Sequence, residues 1–80
     1  MPMPALWEVD LHSKNAYQAK VSLDRALKRA DASVYRIRVI HGYLGGQMLK
    51  ELTAQYRAHP RVKALKEINP GCTDLILRLK

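Results

Sequence analysis

The sequence predicts a two-layer α/β fold, in which a four-stranded mixed sheet carries two helices on one face. Residues 6–12, 33–40 and 73–79 alternate apolar and polar side chains, which is the period of a strand with one buried face. The segments between them repeat apolar residues at helical spacing. The length of 80 residues allows one domain, which we expect to span residues 6–80 after a short tail at residues 1–5.

The first strand and the first helix follow from side-chain spacing. Trp7, Val9 and Leu11 point to one face of the strand, because side chains alternate along it. Ser13 or Asn15 can cap the helix that follows. The apolar stripe of this helix comprises Ala16, Ala19, Leu23, Ala26, Leu27 and Ala30.

The second strand and the second helix show the same two periods. In the strand, Tyr35, Ile37 and Val39 lie on one face. Arg36 and Arg38 lie on the other, so the strand has an apolar side and a basic side. The apolar residues of the second helix are Met48, Leu49, Leu52 and Tyr56.

The last third of the chain predicts two strands. The second helix ends before Pro60, because proline disfavours helical geometry in the residue that precedes it. Residues 61–68 fit either a strand or a helical turn, and we assign a strand. Residues 69–71, Asn-Pro-Gly, signal a turn, so the last two strands can form a hairpin. The order is therefore β-α-β-α-β-β, and strands joined through a helix run parallel by right-handed crossovers.

The polar faces of the strands indicate where the helices lie. A strand that is covered on both faces is a continuous run of apolar residues, whereas three strands here alternate apolar and polar residues. We therefore expect both helices to cover one face of the sheet. The open face would display Glu8, Asp10, His12, Arg36, Arg38 and Arg78.

The charge balance favours a polyanionic partner. Lys and Arg number 14 against 7 acidic residues, which gives a net charge of +7 and a pI near 9.9. Nucleic acid and acidic membrane surfaces attract such proteins. No helix joins a strong apolar face to a lysine-rich one, which argues against a membrane. Charge alone does not separate nucleic-acid binding from a basic ribosome-adjacent protein or a merely soluble one. The single cysteine, Cys72, excludes an intrachain disulfide and indicates a reducing cytoplasm.

The stretch VIHGYLGG, residues 39–46, ends a strand on a histidine and places three glycines within five residues. Gly42, Gly45 and Gly46 allow backbone conformations that turn amide groups toward a phosphate at a helix start. The stretch lacks the Gly-Lys-Ser/Thr of a nucleoside triphosphate loop and the G-x-G-x-x-G of a dinucleotide site. It therefore predicts phosphate binding without a nucleotide cofactor.

Titratable side chains follow the first and second strands at their carboxyl ends, where ligands of parallel sheets collect. Asp10 and His12 end the first strand and His41 ends the second, so they converge if the strands are neighbours. Histidine transfers protons near neutral pH, and a carboxylate can orient it or coordinate Mg²⁺. These three residues are the candidate catalytic group. Mg²⁺ binding and an ordinary hydrogen-bonded role at the strand ends are the alternatives that stay open.

The ordered combination of these motifs resembles the Smr (small MutS-related) domain, in a short stand-alone form. VDLH at residues 9–12 and VIHG at residues 39–42 resemble its two signature motifs. Residues 46–50 and 69–75 resemble its helix start and final hairpin, and the whole resemblance extends over residues 6–79. It implies a fold similar to the C-terminal domain of bacterial translation initiation factor three.

The resemblance also implies nucleic-acid binding, with DNA nicking or RNA cleavage in parts of the family. Asp10 and His12 match the candidate catalytic positions of the first motif, and His41 and Gly42 match the phosphate-facing turn of the second. The predicted phosphate-binding residues are Gly42, Gly45, Gly46, Arg36 and Arg38. The predicted nucleic-acid contacts are Tyr43, whose ring can stack on a base, Lys14 and Lys50.

Two positions depart from the family pattern. Ser13 stands where the first motif often has glycine, and Leu44 stands where the second motif often has its second glycine. Gly45 and Gly46 can restore that turn one or two residues later. Binding requires less of a sequence than catalysis does. The two departures therefore bear on cleavage more than on binding. The resemblance predicts nucleic-acid binding, with endonuclease activity as its extension, and it leaves open a non-catalytic binding module or a protein-interaction domain.

Overall fold

The computed structural model of the chain describes residues 5–42 and 47–78. Its elements are β1 (Ala5–Asp10), α1 (Ala16–Arg29), β2 (Val34–Ile40), α2 (Gln47–Gln55), a 3₁₀ turn (Tyr56–Ala58), β3 (Ala64–Asn69) and β4 (Cys72–Ile76). This order confirms the predicted β-α-β-α-β-β arrangement, and the ambiguous segment after Pro60 supplies a strand. No helix within the two described segments is long and apolar enough to cross a membrane.

The four strands form one mixed sheet in the order β1-β2-β4-β3. β1 and β2 pair in parallel across the crossover helix α1, whereas β4 is antiparallel to both β2 and β3. The tight hairpin between β3 and β4 inserts β4 into the middle of the sheet. The carbonyl of Gly71 in this hairpin accepts the backbone N–H groups of His41 and Gly42 at 3.0 and 3.1 Å. The carboxyl ends of β1 and β2 therefore meet the hairpin turn at one edge of the sheet.

The first helix begins at a reciprocal cap. The Oδ1 of Asn15 accepts the backbone N–H of Gln18 at 2.8 Å, and the Oε1 of Gln18 accepts the backbone N–H of Asn15 at 3.1 Å. This capping box satisfies two donors that the first turn of a helix leaves free. Ala19, Leu23 and Leu27 then face the sheet and are buried, as their helical spacing predicts.

The core lies between the sheet and the two helices. Leu11, Ile37 and Leu75 come from three different strands or their ends, and each is fully buried. Leu23 of α1 and Leu49 of α2 close the core from the helical layer. Burial of these side chains is the main stabilising term. A small domain removes little surface from water, so each core residue contributes a large share of its stability.

A β-bulge corrects the predicted faces of β2. Ala5 pairs with Val34 and Leu6 pairs with Arg36, so Tyr35 is an extra residue on β2. Val34 is consequently buried in the core at 3% exposure, whereas Tyr35, predicted on that face, is only half-buried. From Arg36 onward the strand keeps its predicted alternation.

Candidate nucleic-acid interface

A cleft of about 940 Å³ opens where the carboxyl ends of β1 and β2 meet the β3–β4 turn and the start of α2. Its lining combines two histidines, two cations and an apolar wall. The lining residues are His12, Ser13, Lys14, Asn15, Arg38, Ile40, His41, Gly42, Met48, Leu49, Asn69, Gly71 and Cys72. This concave surface lies where ligands bind in parallel α/β sheets.

Asp10 and His12 form an exposed hydrogen-bonded pair at this edge of the sheet. The Nδ1 of His12 lies 2.6 Å from the Oδ1 of Asp10, and the backbone N–H of His12 donates to the same oxygen at 3.0 Å. These bonds, the side-chain bond first, hold the pKa of Asp10 below its usual value, so the carboxylate is ionised at neutral pH. When Nδ1–H donates to Asp10, Nε2 keeps a free lone pair that can accept a proton.

The chain leaves β1 through a tight turn that presents His12 to the cleft. The backbone N–H of Lys14 donates to the carbonyl of Leu11 at 3.0 Å. Within this turn Ser13 has φ +68°, in the left-handed region that favours glycine. The departure from glycine at this position therefore leaves backbone strain in the turn.

His41 has a different environment from His12. Its side chain is buried, with Nε2 3.0 Å from the Oγ1 of Thr73 on β4 and Nδ1 3.4 Å from the carbonyl oxygen of Gly42. Burial lowers the pKa of this imidazole, because a charged ring would lose its hydration. The structure thus brings His41 to the predicted cleft, but its ring is buried and hydrogen-bonded to β4. Sequence reasoning missed Thr73, since only the pairing of β2 with β4 places its hydroxyl there.

The buried His41 gives the fold a defined pH dependence. Its pKa in the folded chain lies below the ordinary 6.5, so the unfolded chain binds more protons when the pH falls below that value. The stabilisation is complete above about pH 6.5 and is lost as the pH falls toward the folded pKa. We expect His41→Gln to reduce the difference in urea midpoint between pH 7.5 and pH 5.5. A difference in His41→Gln as large as that of the wild type would contradict this dependence.

Gly42 occupies a backbone conformation that other residues avoid. Its φ is +85°, and a Cβ added there would lie 3.6 Å from the Cβ of His12, an ordinary contact distance. Its amide N–H already donates to the carbonyl of Gly71, so the positive φ is what this position requires of its residue.

Substitution of Gly42 tests this conformational role. We expect Gly42→Ala to lower the free energy of unfolding by roughly 1–2 kcal/mol through backbone strain. Ser13→Gly is the converse change, and it should leave stability equal or raise it by up to about 1 kcal/mol. Urea denaturation of both variants measures this, and an unchanged midpoint for Gly42→Ala would contradict the strained conformation.

Arg36 and Arg38, predicted to bind phosphate, lie on the open face of the sheet and share one carboxylate. Arg36 donates to the Oδ2 of Asp74 at 2.9 Å, and Arg38 donates to its two oxygens at 3.0 and 3.2 Å. The side chain of Asp74 is fully buried beneath Arg36 and Arg38, whose side chains are 24% and 30% exposed. Some of the N–H donors of both arginines are therefore already hydrogen-bonded to Asp74 within the protein. The alternation of side chains along β4 is enough to predict that Asp74 lies on the open face. Its contact with Arg36 and Arg38 follows only from the pairing of β4 with β2.

The other predicted contacts divide into three groups. Lys14 is half-buried and lines the cleft. Lys50, on α2, forms an ion pair with Glu67 at 3.0 Å and does not line the cleft. Tyr43, Gly45 and Gly46 fall outside the described residues. Within residues 5–42 and 47–78 no three histidine, cysteine or carboxylate side chains are placed to hold a metal ion, and Mg²⁺ binding stays a prediction.

Comparison with known proteins identifies the family. The Smr domain matches residues 9–72. Among solved structures, the Smr domain of Thermus thermophilus MutS2 is similar, with a TM-score of 0.77 and 28% sequence identity over 91% of this chain and 99% of that one. No curated protein matches the chain. Because the family match covers most of the chain and includes both the VDLH and the VIHG motif, the chain belongs to the Smr domain family.

Proposed function

We propose that this Smr domain binds nucleic acid in the cleft and that Asp10 and His12 cleave a phosphodiester there. One observation carries the proposal: an ionised carboxylate holds an exposed imidazole at the edge of a cleft that Lys14 and Arg38 also line. Further support comes from the association of the Smr domain family with nucleic acid and from the net charge of +7.

The pair can act as a general base. The Nε2 of His12 takes the proton of an attacking hydroxyl, from water or from the 2′-OH of RNA, while the new P–O bond forms. Asp10 fixes the ring and stabilises the imidazolium that results, as carboxylates do for catalytic histidines. The P–O bond to the leaving oxygen breaks, and that oxygen takes a proton from the imidazolium or from solvent. Lys14, which lines the cleft, offsets the charge of the phosphate.

A second candidate function is binding without chemistry. It is favoured by the environment of His41, which is sealed against Thr73 and is therefore a poor second acid or base for the leaving group. A basic cleft can hold a phosphate backbone without a proton-transfer partner. The two candidates share the same site and differ only in cleavage.

Two assays on one preparation test the proposal. Fluorescence anisotropy with labelled single-stranded RNA, single-stranded DNA and duplex DNA measures binding at 50 and 200 mM salt. Incubation with RNA and with supercoiled plasmid, with and without Mg²⁺, measures cleavage. Salt-sensitive binding with cleavage supports the endonuclease, and binding alone supports the second candidate. Absence of both would refute a nucleic-acid function and favour a protein-interaction domain.

A further inference from the structure

The positive charge of the chain is unevenly distributed between its two layers. Sheet register sets Glu8, Arg38, Asp74 and Lys66 side by side across the four strands, so opposite charges alternate along this row. Within residues 5–42 and 47–78, the charged side chains of the open face are Arg36, Arg38, Lys66 and Arg78 against Glu8, Asp10 and Asp74. These charges nearly cancel, so most of the net +7 belongs to the helical layer and its loops.

The far end of α1 carries a dense group of exposed cations. Arg25, Lys28 and Arg29 are exposed and line a shallow groove together with Asp24. Arg61 joins them from the loop after the 3₁₀ turn, because its guanidinium donates to the carbonyl of Leu27. We call Arg25, Lys28, Arg29 and Arg61 the α1 basic patch.

The carboxylates near this patch have other partners. Asp24 accepts from Lys20 at 2.8 Å and from the hydroxyl of Tyr56 at 2.6 Å. Asp31 accepts from the backbone N–H and the hydroxyl of Ser33, in the turn that leads to β2. Cations in a last helical turn stabilise the helix dipole, but Arg25 lies one turn earlier and Arg61 belongs to another segment. The dipole therefore accounts for only part of the patch.

An exposed stripe on α1 connects the cleft to the patch. Tyr17, Val21, Arg25 and Lys28 are three or four residues apart, so they share one face of the helix, opposite the buried residues of its stripe. Tyr17 is 76% exposed and Val21 is 37% exposed, which leaves an aromatic ring and an aliphatic side chain in solvent between two basic regions. Aromatic rings beside a track of cations are the usual means of binding single-stranded nucleic acid.

We propose that single-stranded nucleic acid runs from the cleft along α1 to the α1 basic patch, with Tyr17 stacking on a base. The inference rests on the proposed function and extends it to a second contact site. At 1.5 Å per helical residue, Asn15 at the cleft and Lys28 in the patch are about 20 Å apart. At about 3.4 Å per phosphate, the spacing in a strand whose bases stay stacked, roughly six nucleotides span this distance.

The length of the ligand provides the test. A labelled 4-nucleotide RNA can occupy only one of the two regions, whereas a 12-nucleotide RNA of the same composition can reach both. We expect wild-type protein to bind the longer RNA at least about tenfold more tightly at low salt, because it neutralises more phosphates. Fluorescence anisotropy over a salt series measures both affinities.

Three variants lower the net charge by the same two units and locate the contact. Lys28→Glu and Arg25→Gln/Lys28→Gln alter the patch, and the double variant adds no acidic group near the helix end. Lys66→Glu is the matched control on the open sheet face. We expect both patch variants to weaken 12-mer binding about tenfold. The salt slope should fall by about 0.7 for Lys28→Glu, which loses one phosphate contact, and by roughly 1.4 for the double variant, which loses two. The control should bind the 12-mer almost as wild type does.

A fourth variant separates stacking from charge. Tyr17→Ala should weaken 12-mer binding roughly fivefold or more without changing the salt slope, because stacking releases no counterions. Equal affinity for the two RNA lengths, or equal weakening by Lys28→Glu and Lys66→Glu, would overturn this inference and leave the proposed function standing. Failure of wild-type protein to bind either RNA would overturn the proposed function itself.

Discussion

His12→Ala is expected to reduce phosphodiester cleavage by a factor of about 10²–10⁴, the usual contribution of a positioned general base. His12 is the histidine at the cleft whose ring is exposed, and its Nδ1 is 2.6 Å from the Asp10 carboxylate. Alanine removes the proton acceptor and leaves a side chain that the tight turn accommodates. The measurement is the initial cleavage rate on the RNA or plasmid substrate, with each variant checked for its fold by circular dichroism.

The partner and control variants make this result specific. Asp10→Asn keeps the shape of the carboxylate but removes the charge that stabilises the imidazolium, so the rate should fall about tenfold or more. His59→Ala changes a histidine that stacks on Tyr56, outside the cleft, and should retain the wild-type rate. Both cleft variants should still bind nucleic acid. Equal cleavage by wild type and His12→Ala would place the chemistry at another site or in a contaminant.

Asp74→Ala is expected to lower the free energy of unfolding by about 3 kcal/mol, because it leaves two guanidinium groups without their shared carboxylate. Asp74 is fully buried and bonded to Arg36 and Arg38 at 2.9–3.2 Å. For a domain of this size the melting temperature would fall by roughly 12–24 °C. Differential scanning calorimetry and urea denaturation both measure the change.

A surface ion pair supplies the comparison for Asp74. Glu67 pairs with Lys50 at 3.0 Å, and both side chains are more than a third exposed. Such pairs contribute at most about 1 kcal/mol, so Glu67→Ala should change stability little. Asp74→Asn, which keeps the volume and one oxygen acceptor, should fall between the two alanine variants. A cost below about 0.5 kcal/mol for Asp74→Ala would contradict the stabilising role of the buried carboxylate.

The spacing of apolar side chains predicts β1, α1, β2, α2 and β4, whereas residues 61–68 fit two periods and their strand, β3, is decided only by pairing with β4. Alternation at Trp7, Val9 and Leu11 identified β1, and helical spacing from Ala19 to Leu27 identified α1, because burial of one face imposes those periods. The bulge at Tyr35 escaped prediction, since an extra residue on β2 is defined only by its pairing with β1.

The sequence was sufficient to predict which residues lie at the candidate site, but not which side chains they hydrogen-bond with. The motifs named Asp10, His12 and His41, and the structure brings them to one edge of the sheet. Local spacing carries no information about which strand lies beside β2. The insertion of β4 there gives His41 a hydroxyl partner in Thr73, and it gives the two arginines of β2 a buried carboxylate in Asp74. The predicted free arginines are thereby partly neutralised.

The most direct measurement for the central claim is an NMR titration of the ¹⁵N-labelled protein, 9.1 kDa in mass, with a short single-stranded RNA. The account predicts that amide resonances of His12, Lys14 and Gly42, at the carboxyl ends of β1 and β2, shift with RNA concentration. Resonances of Lys66 and Ile76 on the open face should stay unchanged. Shifts confined to the open face, or no shifts at RNA concentrations that saturate binding in the anisotropy assay, would contradict a nucleic-acid site in this cleft.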